Sequence, residues 1–225
     1  MNFPQLRVII TGATGMVGEG VLHECLQHPQ VASVLVLGRK PCGVSHPKLT
    51  EILHENFYDI SPIEGQLAGY NACFFCAGVS SVGMTEEEYF NVTHTLTLHV
   101  AQTLSRLNPD MSFSYVSGAN TDSTEQGRMM WARVKGKTEN DLFKLPFKSV
   151  YAFRPGYMHP TPNLKNTLPY YKYITWLYPA LRLLFSGSVS TLAELGQAMI
   201  NAAQMGSLKR VLEVKDIVTL AAKKQ

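Results

Sequence analysis

The residues at Thr11-Gly12-Ala13-Thr14-Gly15-Met16-Val17-Gly18 have types and spacing that could do chemistry, and they follow the apolar run Leu6 through Ile10. Glycines at 12, 15 and 18 can supply three different things: a tight turn after a strand, room for backbone to approach a pyrophosphate, and close packing of helix on sheet. The backbone amides from Thr14 through Val17 then stand at a new helix N-terminus, where the helix dipole favours phosphate. A glycine pattern alone is weak, but here strand, turn and helix come in the required order, so the residues point to a dinucleotide phosphate site. The second apolar run ends Val36-Leu37-Gly38-Arg39-Lys40, without the acid that would meet unphosphorylated adenosine ribose hydroxyls. Arg39, with Lys40 beside it, can instead neutralise a 2′-phosphate through charge-assisted hydrogen bonds, so NADP(H) is expected over NAD(H).

Positioning such a site calls for a parallel sheet, and the chain is patterned for one. Leu6–Thr11, Val31–Leu37, Asn71–Ala77, Met111–Ser117 and Phe147–Phe153 read as strands, with helical patterns between most of them. A weaker strand falls at Thr50–Asn56 and a last one at Arg210–Val214, before a short C-terminal helix. This alternation predicts an α/β fold, a doubly wound parallel sheet of the Rossmann type, with 1–225 as a single domain. Thr85 before Glu86-Glu87-Glu88 marks one helix start, closed by Asn108-Pro109, and Thr191-Leu192-Ala193-Glu194 has capping-box spacing. Between 155 and 190 the alternation gives way to an irregular segment rich in Pro, Tyr and apolar residues, including Leu168 to Tyr178. It reads as a substrate lid, a subunit contact or a face lying on a membrane. Interruptions at Pro169, Lys172, Pro179 and Arg182 argue against a span, which needs about 20 mostly apolar residues.

At 225 residues, 45% hydrophobic and 16% charged, the chain describes an ordinary globule with a sizeable core. Its formal charge of +3 is too small, and its Lys and Arg too dispersed, to imply a nucleic-acid partner. The four cysteines, without a secretory leader ahead of the first strand, suggest a reducing cytoplasm. Cys73 and Cys76 form a C-x-x-C inside a buried strand, where positions three apart face opposite sides, so core packing is expected and not metal or redox chemistry. His23 and His28 are five apart, roughly 140° around a helix, and make no metal site.

With those residues in hand, the chain resembles the short-chain dehydrogenase/reductase superfamily, in the extended and atypical branches whose opening reads T-G-A-T-G-x-V-G. Asn56-Phe57 stands where such proteins often contact adenine, and Cys76-Ala77-Gly78 ends the fourth strand. Asn91-Val92-Thr93-His94-Thr95 resembles the N-V-x-G-T helix motif, with His94 in the glycine's place. Ser117 falls where the family has its catalytic serine, Lys135 fits the lysine of Y-x-x-x-K, and Arg154-Pro155-Gly156 fits the R-P-G after the sixth strand. The resemblance implies that Lys135 holds the nicotinamide ribose and that Pro155 through Met158 border the nicotinamide ring. It is nearest to the small NAD(P)H-binding, epimerase/dehydratase-like proteins, whose helices at the positions of Asn91 and Lys135 often pair across a homodimer.

The departure is at Trp131, where the family's tyrosine passes the proton that accompanies hydride transfer. An indole N–H donates a hydrogen bond but does not readily release its proton. Loss of a general acid slows carbonyl chemistry by about 10² to 10⁴ while leaving binding intact. Three outcomes fit: Tyr157 or His159 substitutes, the substrate needs little proton transfer, as an activated double bond does, or the protein binds NADP(H) without turnover. The leading expectation is an NADP(H)-dependent oxidoreductase acting on a small apolar carbonyl or enone through Ser117, Lys135 and Tyr157, with a non-catalytic regulator or scaffold as the alternative.

Overall fold

The computed structural model describes residues 4–167, 178–185 and 187–223. Nine strands and seven helices follow one another in these residues: β1 (Leu6–Thr11), α1 (Met16–Gln27), β2 (Val31–Gly38), β3 (Leu49–Leu53), β4 (Ala72–Phe75), α2 (Glu86–Phe90), α3 (Leu96–Leu107), β5 (Ser112–Val116) and α4 (Met130–Leu142). Then come β6 (Ser149–Arg154), β7 (Tyr157–His159), α5 (Tyr178–Leu184), β8 (Val189–Thr191), α6 (Leu192–Met205), β9 (Val211–Glu213) and α7 (Val214–Ala221). Seven strands form one sheet in the order β3-β2-β1-β4-β5-β6-β9, and every pairing in it is parallel. The chain runs outward from β1 in one direction, then returns to start again at β4 on its other side. That reversal opens a crevice beyond the carboxyl ends of β1 and β4, where open α/β sheets take their ligands.

The register explains why the strands are continuous apolar runs. Val8 lies between Val34 and Ala72, and these side chains face a core shared with Val21 and Leu22 of α1, Leu195 and Met199 of α6 and Ile217 of α7. One residue on, Ile9 lies between Leu35 and Cys73 and faces Val100 and Leu104 of α3 and Leu142 of α4. With helices on both faces, alternate residues enter two separate cores and neither set is left for solvent. Cys73 and Cys76 divide in the same way, one into each core, and burial pushes the Cys76 thiol up to about 12 and the Cys73 thiol well above its ordinary value. Among the described residues no group of three His, Cys, Asp or Glu side chains is placed to hold a metal.

Both predicted helix starts carry reciprocal caps. Thr85 accepts from the Glu88 amide while the Glu88 carboxylate accepts from Thr85, and Thr191 and Glu194 do the same at 2.9 and 2.8 Å. The helix expected to run unbroken from Thr85 to Asn108 is interrupted by a π turn at Asn91–Thr95. There the His94 ring stacks on Phe90 at 4.3 Å and reaches Asp141 of α4 at 2.9 Å.

The 155–190 segment is more regular than its composition suggests, because β7 and β8 pair in parallel as a second, two-stranded sheet. The aromatic run from 168 through 177 lies outside the described residues. Ahead of it, the chain is fastened to α1: the buried Glu19 carboxylate accepts from the amides of Lys165 and Asn166 at 2.8 and 2.7 Å. No helix among the described residues is long and apolar enough to cross a membrane.

Candidate functional site

The crevice at the sheet reversal is a cleft of about 810 Å³, with Gly12 through Gly15 on one wall, Arg39 and Lys40 at one end and Cys76 through Val79 opposite. Its turn is locked by close approach. Gly12 has φ +74, and a Cβ there would stand 2.6 Å from the Ala77 nitrogen; a Cβ on Gly18 would stand 2.1 Å from the Gly12 oxygen. The Gly15 amide donates to Gly12 O at 3.0 Å, and the Ala77 amide to Thr11 Oγ1 at 3.2 Å. Gly15 differs from its neighbours, since a Cβ there would meet nothing nearer than Gly12 O at 3.5 Å, an ordinary contact. No contact within the fold requires a glycine at 15. Gly15 is also the N-cap of the twelve-residue α1, and no side chain caps the amides of its first turn. Met16 and Val17 contribute that backbone while their side chains pack half-buried on the core.

At the end of the cleft beyond β2, Arg39 is exposed on the wall and has no ion-pair partner among the described residues. Phe57 lines the cleft, but Asn56 does not. Its Oδ1 accepts from the Tyr58 amide at 3.1 Å, bending the chain so that Phe57 and Tyr58 face the cleft. Tyr58 in turn donates to the Asn91 carbonyl at 3.1 Å. Sequence reasoning missed Glu55, Tyr58, Val79, Val92 and Leu96 on these walls. The spacing of Val92 and Leu96 could have signalled one helical face, though only once the helix was oriented.

The other corner is built of side chains. Buried Ser117 follows β5, and its Oγ lies 2.9 Å from Thr121 Oγ1. Thr121 spends its own proton on the Gly118 carbonyl at 2.8 Å, so Ser117 is the donor of that pair. Lys135 donates from Nζ to the Ser117 carbonyl at 2.7 Å and lies over the Tyr115 ring at 6.0 Å. Loss of hydration by burial pulls the Lys135 ammonium down to about 8, against the opposing pull of Glu139. Trp131, one turn before Lys135, brings Cζ3 to 3.9 Å from where a Cβ on Gly118 would be. The structure therefore gathers Ser117, Trp131 and Lys135 into one corner.

It does not bring every candidate there. Tyr157 lines a neighbouring chamber of about 490 Å³ together with Ala119 and Asn120. Pro155 is buried and accepts from the Ala119 amide at 3.0 Å. Met158 turns into the core beside α6 and does not face either cavity, because alternation along β7 sends it opposite to Tyr157. His159 packs against Tyr178 in a tilted ring pair at 4.1 Å, and burial lowers its pKa.

Arg154 acts as a strut. Its Nε donates to the fully buried Glu139 at 3.0 Å and its Nη1 to Glu213 at 3.1 Å, tying α4 to the end of β9. Nη2 adds a bond to Ser123, which fixes the loop carrying Ser117 and Gly118.

Comparisons with known proteins agree with this architecture. The sequence profile of the NAD dependent epimerase/dehydratase family matches residues 8–128. "Protein fmp52-1, mitochondrial" of Aspergillus terreus is 26% identical over 161 residues, covering 66% of this chain and 65% of that protein. "Protein HTATIP2" of Rattus norvegicus is 23% identical over 151 residues, covering 66% and 61%. The match thus spans just under two thirds of these relatives' length. Among solved structures, the Bordetella bronchiseptica enzyme WbmF in complex with NAD+ superposes with a TM-score of 0.64 at 17% identity, covering 97% of this chain and 77% of that one. A short chain dehydrogenase family protein from Francisella tularensis gives 0.65 at 13% identity, covering 93% and 96%.

The relatives' names correct one expectation. Several Aspergillus relatives, at 26–28% identity, are named as mitochondrial, which overturns the reading of a cytoplasmic protein. All four thiols are free, but free thiols report a reducing environment and not the compartment that provides it.

The doubly wound sheet, its glycine turn and a profile match over more than half the length agree, and the chain belongs to the NAD dependent epimerase/dehydratase family of the short-chain dehydrogenase/reductase superfamily.

Proposed function

We propose that this protein binds NADP(H) in the larger cleft and transfers hydride to a small apolar carbonyl or enone through an altered acid/base corner. The observation that carries the reading is Gly15: a glycine with no steric need inside the protein, at the uncapped start of a helix. Both properties suit a pyrophosphate lying on the backbone. Gly12 to Val17 would hold the diphosphate, Arg39 the 2′-phosphate and Phe57 the adenine. Ala77 and Gly78 would border the sugar, and Lys135 the second ribose. Gly78 supports this, since a Cβ there would meet only open space.

The dinucleotide, when bound, supplies the hydride. In the reduction, the substrate C=O becomes C–H and O–H, so the oxygen must gain a proton as negative charge develops on it. Lys135 places a positive charge beside Ser117, which stabilises that charge. Trp131 can orient the oxygen through its indole N–H without giving up the proton. Ser117 has its own proton engaged by Thr121 and must turn toward a substrate before it can donate. Tyr157, in the adjacent chamber, is the phenol that its position makes the candidate. The 155–190 segment supplies the substrate side within the same domain.

A second reading, a non-catalytic NADP(H)-binding regulator, is favoured by Trp131 and by that engaged serine proton. Calorimetry with NADPH and NADH tests the cofactor, and slow NADPH consumption with a carbonyl panel tests turnover. Tighter binding of NADPH, weakened in Arg39→Glu, together with turnover lost in Lys135→Ala, is the expected result. Tight binding with no turnover selects the regulator. Binding of neither coenzyme overturns both readings.

A further inference from the structure

The 490 Å³ chamber opens beyond the carboxyl ends of β5, β6 and β9, one residue past the corner that holds Ser117 and Trp131. Ala119 and Asn120 form its inner edge. Its size lies within the range of small-molecule pockets. Tyr157, Leu181, Phe185, Val189 and Val214 give it apolar walls, drawn from β7, α5 and the residue that follows it, β8 and the start of α7. At Gly156 the wall is bare backbone, because a Cβ there would stand 2.3 Å from the Ser188 oxygen.

Its charges are more telling than its shape. The two guanidiniums close by are committed elsewhere: Arg154 to Glu139 and Glu213, and Arg182 to Glu194 through both terminal nitrogens and to the Val189 carbonyl at 2.9 Å. Among the described residues Glu213 is the one acid on the wall. Lys215 is the cation at the rim among those residues, exposed and running alongside Gly187. An anion entering the chamber would lose hydration and find no uncommitted cation on the described walls, a cost that uncharged ligands avoid. A nucleotide-sugar, with two phosphate charges, fits these walls poorly.

We infer that this chamber is the substrate pocket and selects an uncharged, largely apolar carbonyl compound, with Leu181 and Phe185 as the residues that set the preference. The inference rests on the hydride-transfer reading for its chemistry, but its test is a binding test. The whole protein, saturated with NADP+ so that a ketone cannot turn over, is titrated with benzylacetone, with phenylbutyrate as the anionic counterpart of similar size, and with UDP-glucose. Thermal stabilisation and quenching of tryptophan fluorescence report binding.

Benzylacetone is expected to bind at least about tenfold more tightly than phenylbutyrate, and UDP-glucose not to bind. Leu181→Asp, on a half-exposed helix face, is expected to weaken benzylacetone by about tenfold or more while NADP+ affinity stays within about twofold. Leu181→Ala, which adds no charge, is the control against misfolding and should weaken it by a smaller factor. Preference for phenylbutyrate would assign Lys215 as an anion anchor and overturn the inference, as would binding of UDP-glucose or indifference to both Leu181 variants. Failure of NADP+ itself to bind would sink the cofactor reading instead, and that result is seen before any ketone is added.

Discussion

One end of the sheet edge is made of backbone, and the other is made of side chains. Around β1 and β4 the cleft wall is main chain, and the glycines at 12 and 18 leave no room for any other residue. Around β5 and α4 the corner is formed by Ser117, Trp131 and Lys135, held by a serine–threonine pair, a lysine–carbonyl bond and the Arg154 strut. A cradle of backbone can change only by losing the fold's local geometry. A corner of side chains can exchange one member while the scaffold stays in place.

The strut is where the side-chain end can be broken most severely. Glu139→Ala leaves the Arg154 charge buried against a missing partner and is expected to cost about 3–5 kcal/mol, read from urea denaturation. If the loss is below about 1 kcal/mol, the corner is not held in the way described. Trp131→Tyr should leave stability near that of the parent and raise the carbonyl reduction rate by about 10² to 10⁴, measured by NADPH consumption. No gain would mean that more than the acid has been lost at that end.

Two glycines sharpen the contrast within the backbone end. Gly18→Ala forces a Cβ onto the Gly12 carbonyl and should lower stability by about 1–3 kcal/mol. Gly15→Ala should cost about 1 kcal/mol or less in folding yet weaken NADPH by about tenfold in calorimetry. Equal effects of the two on folding would remove the case that Gly15 answers to a ligand.

A further effect is read against pH. Lys135 has its folded pKa at about 8, below the ordinary 10.5, so the unfolded chain holds the proton more tightly between those values. The stability penalty is present in full below about 8 and is relieved as pH rises toward 10.5. The difference in unfolding free energy between the parent and Lys135→Met should therefore move in the parent's favour across that window, and a flat difference would contradict burial as the cause.

The scaffold was readable because each strand must satisfy both cores. Leu6–Thr11 appears with the bounds its apolar run suggested, and the runs at 31, 71, 111 and 147 all became parallel strands, with ends shifted by one or two residues in either direction. The capped ends at Thr85 and Thr191 were local enough to read directly. What sequence could not give is the set of contacts that depend on direction. Period-two alternation turns Met158 inward beside Tyr157, and an Asx turn withdraws Asn56 while presenting Tyr58. The small β7–β8 sheet joins residues some thirty positions apart across an aromatic segment, and no local signal marks that pairing.

A single acid in the opening turn of α1 moors the chain at residues 165–166, between β7 and α5 in sequence, both of which line the apolar chamber. The second compartment thus hangs from the same helix that starts the first. Residues inserted after 166 would slacken the chamber while leaving the cradle untouched, whereas cutting the mooring at Glu19 would disturb both at once.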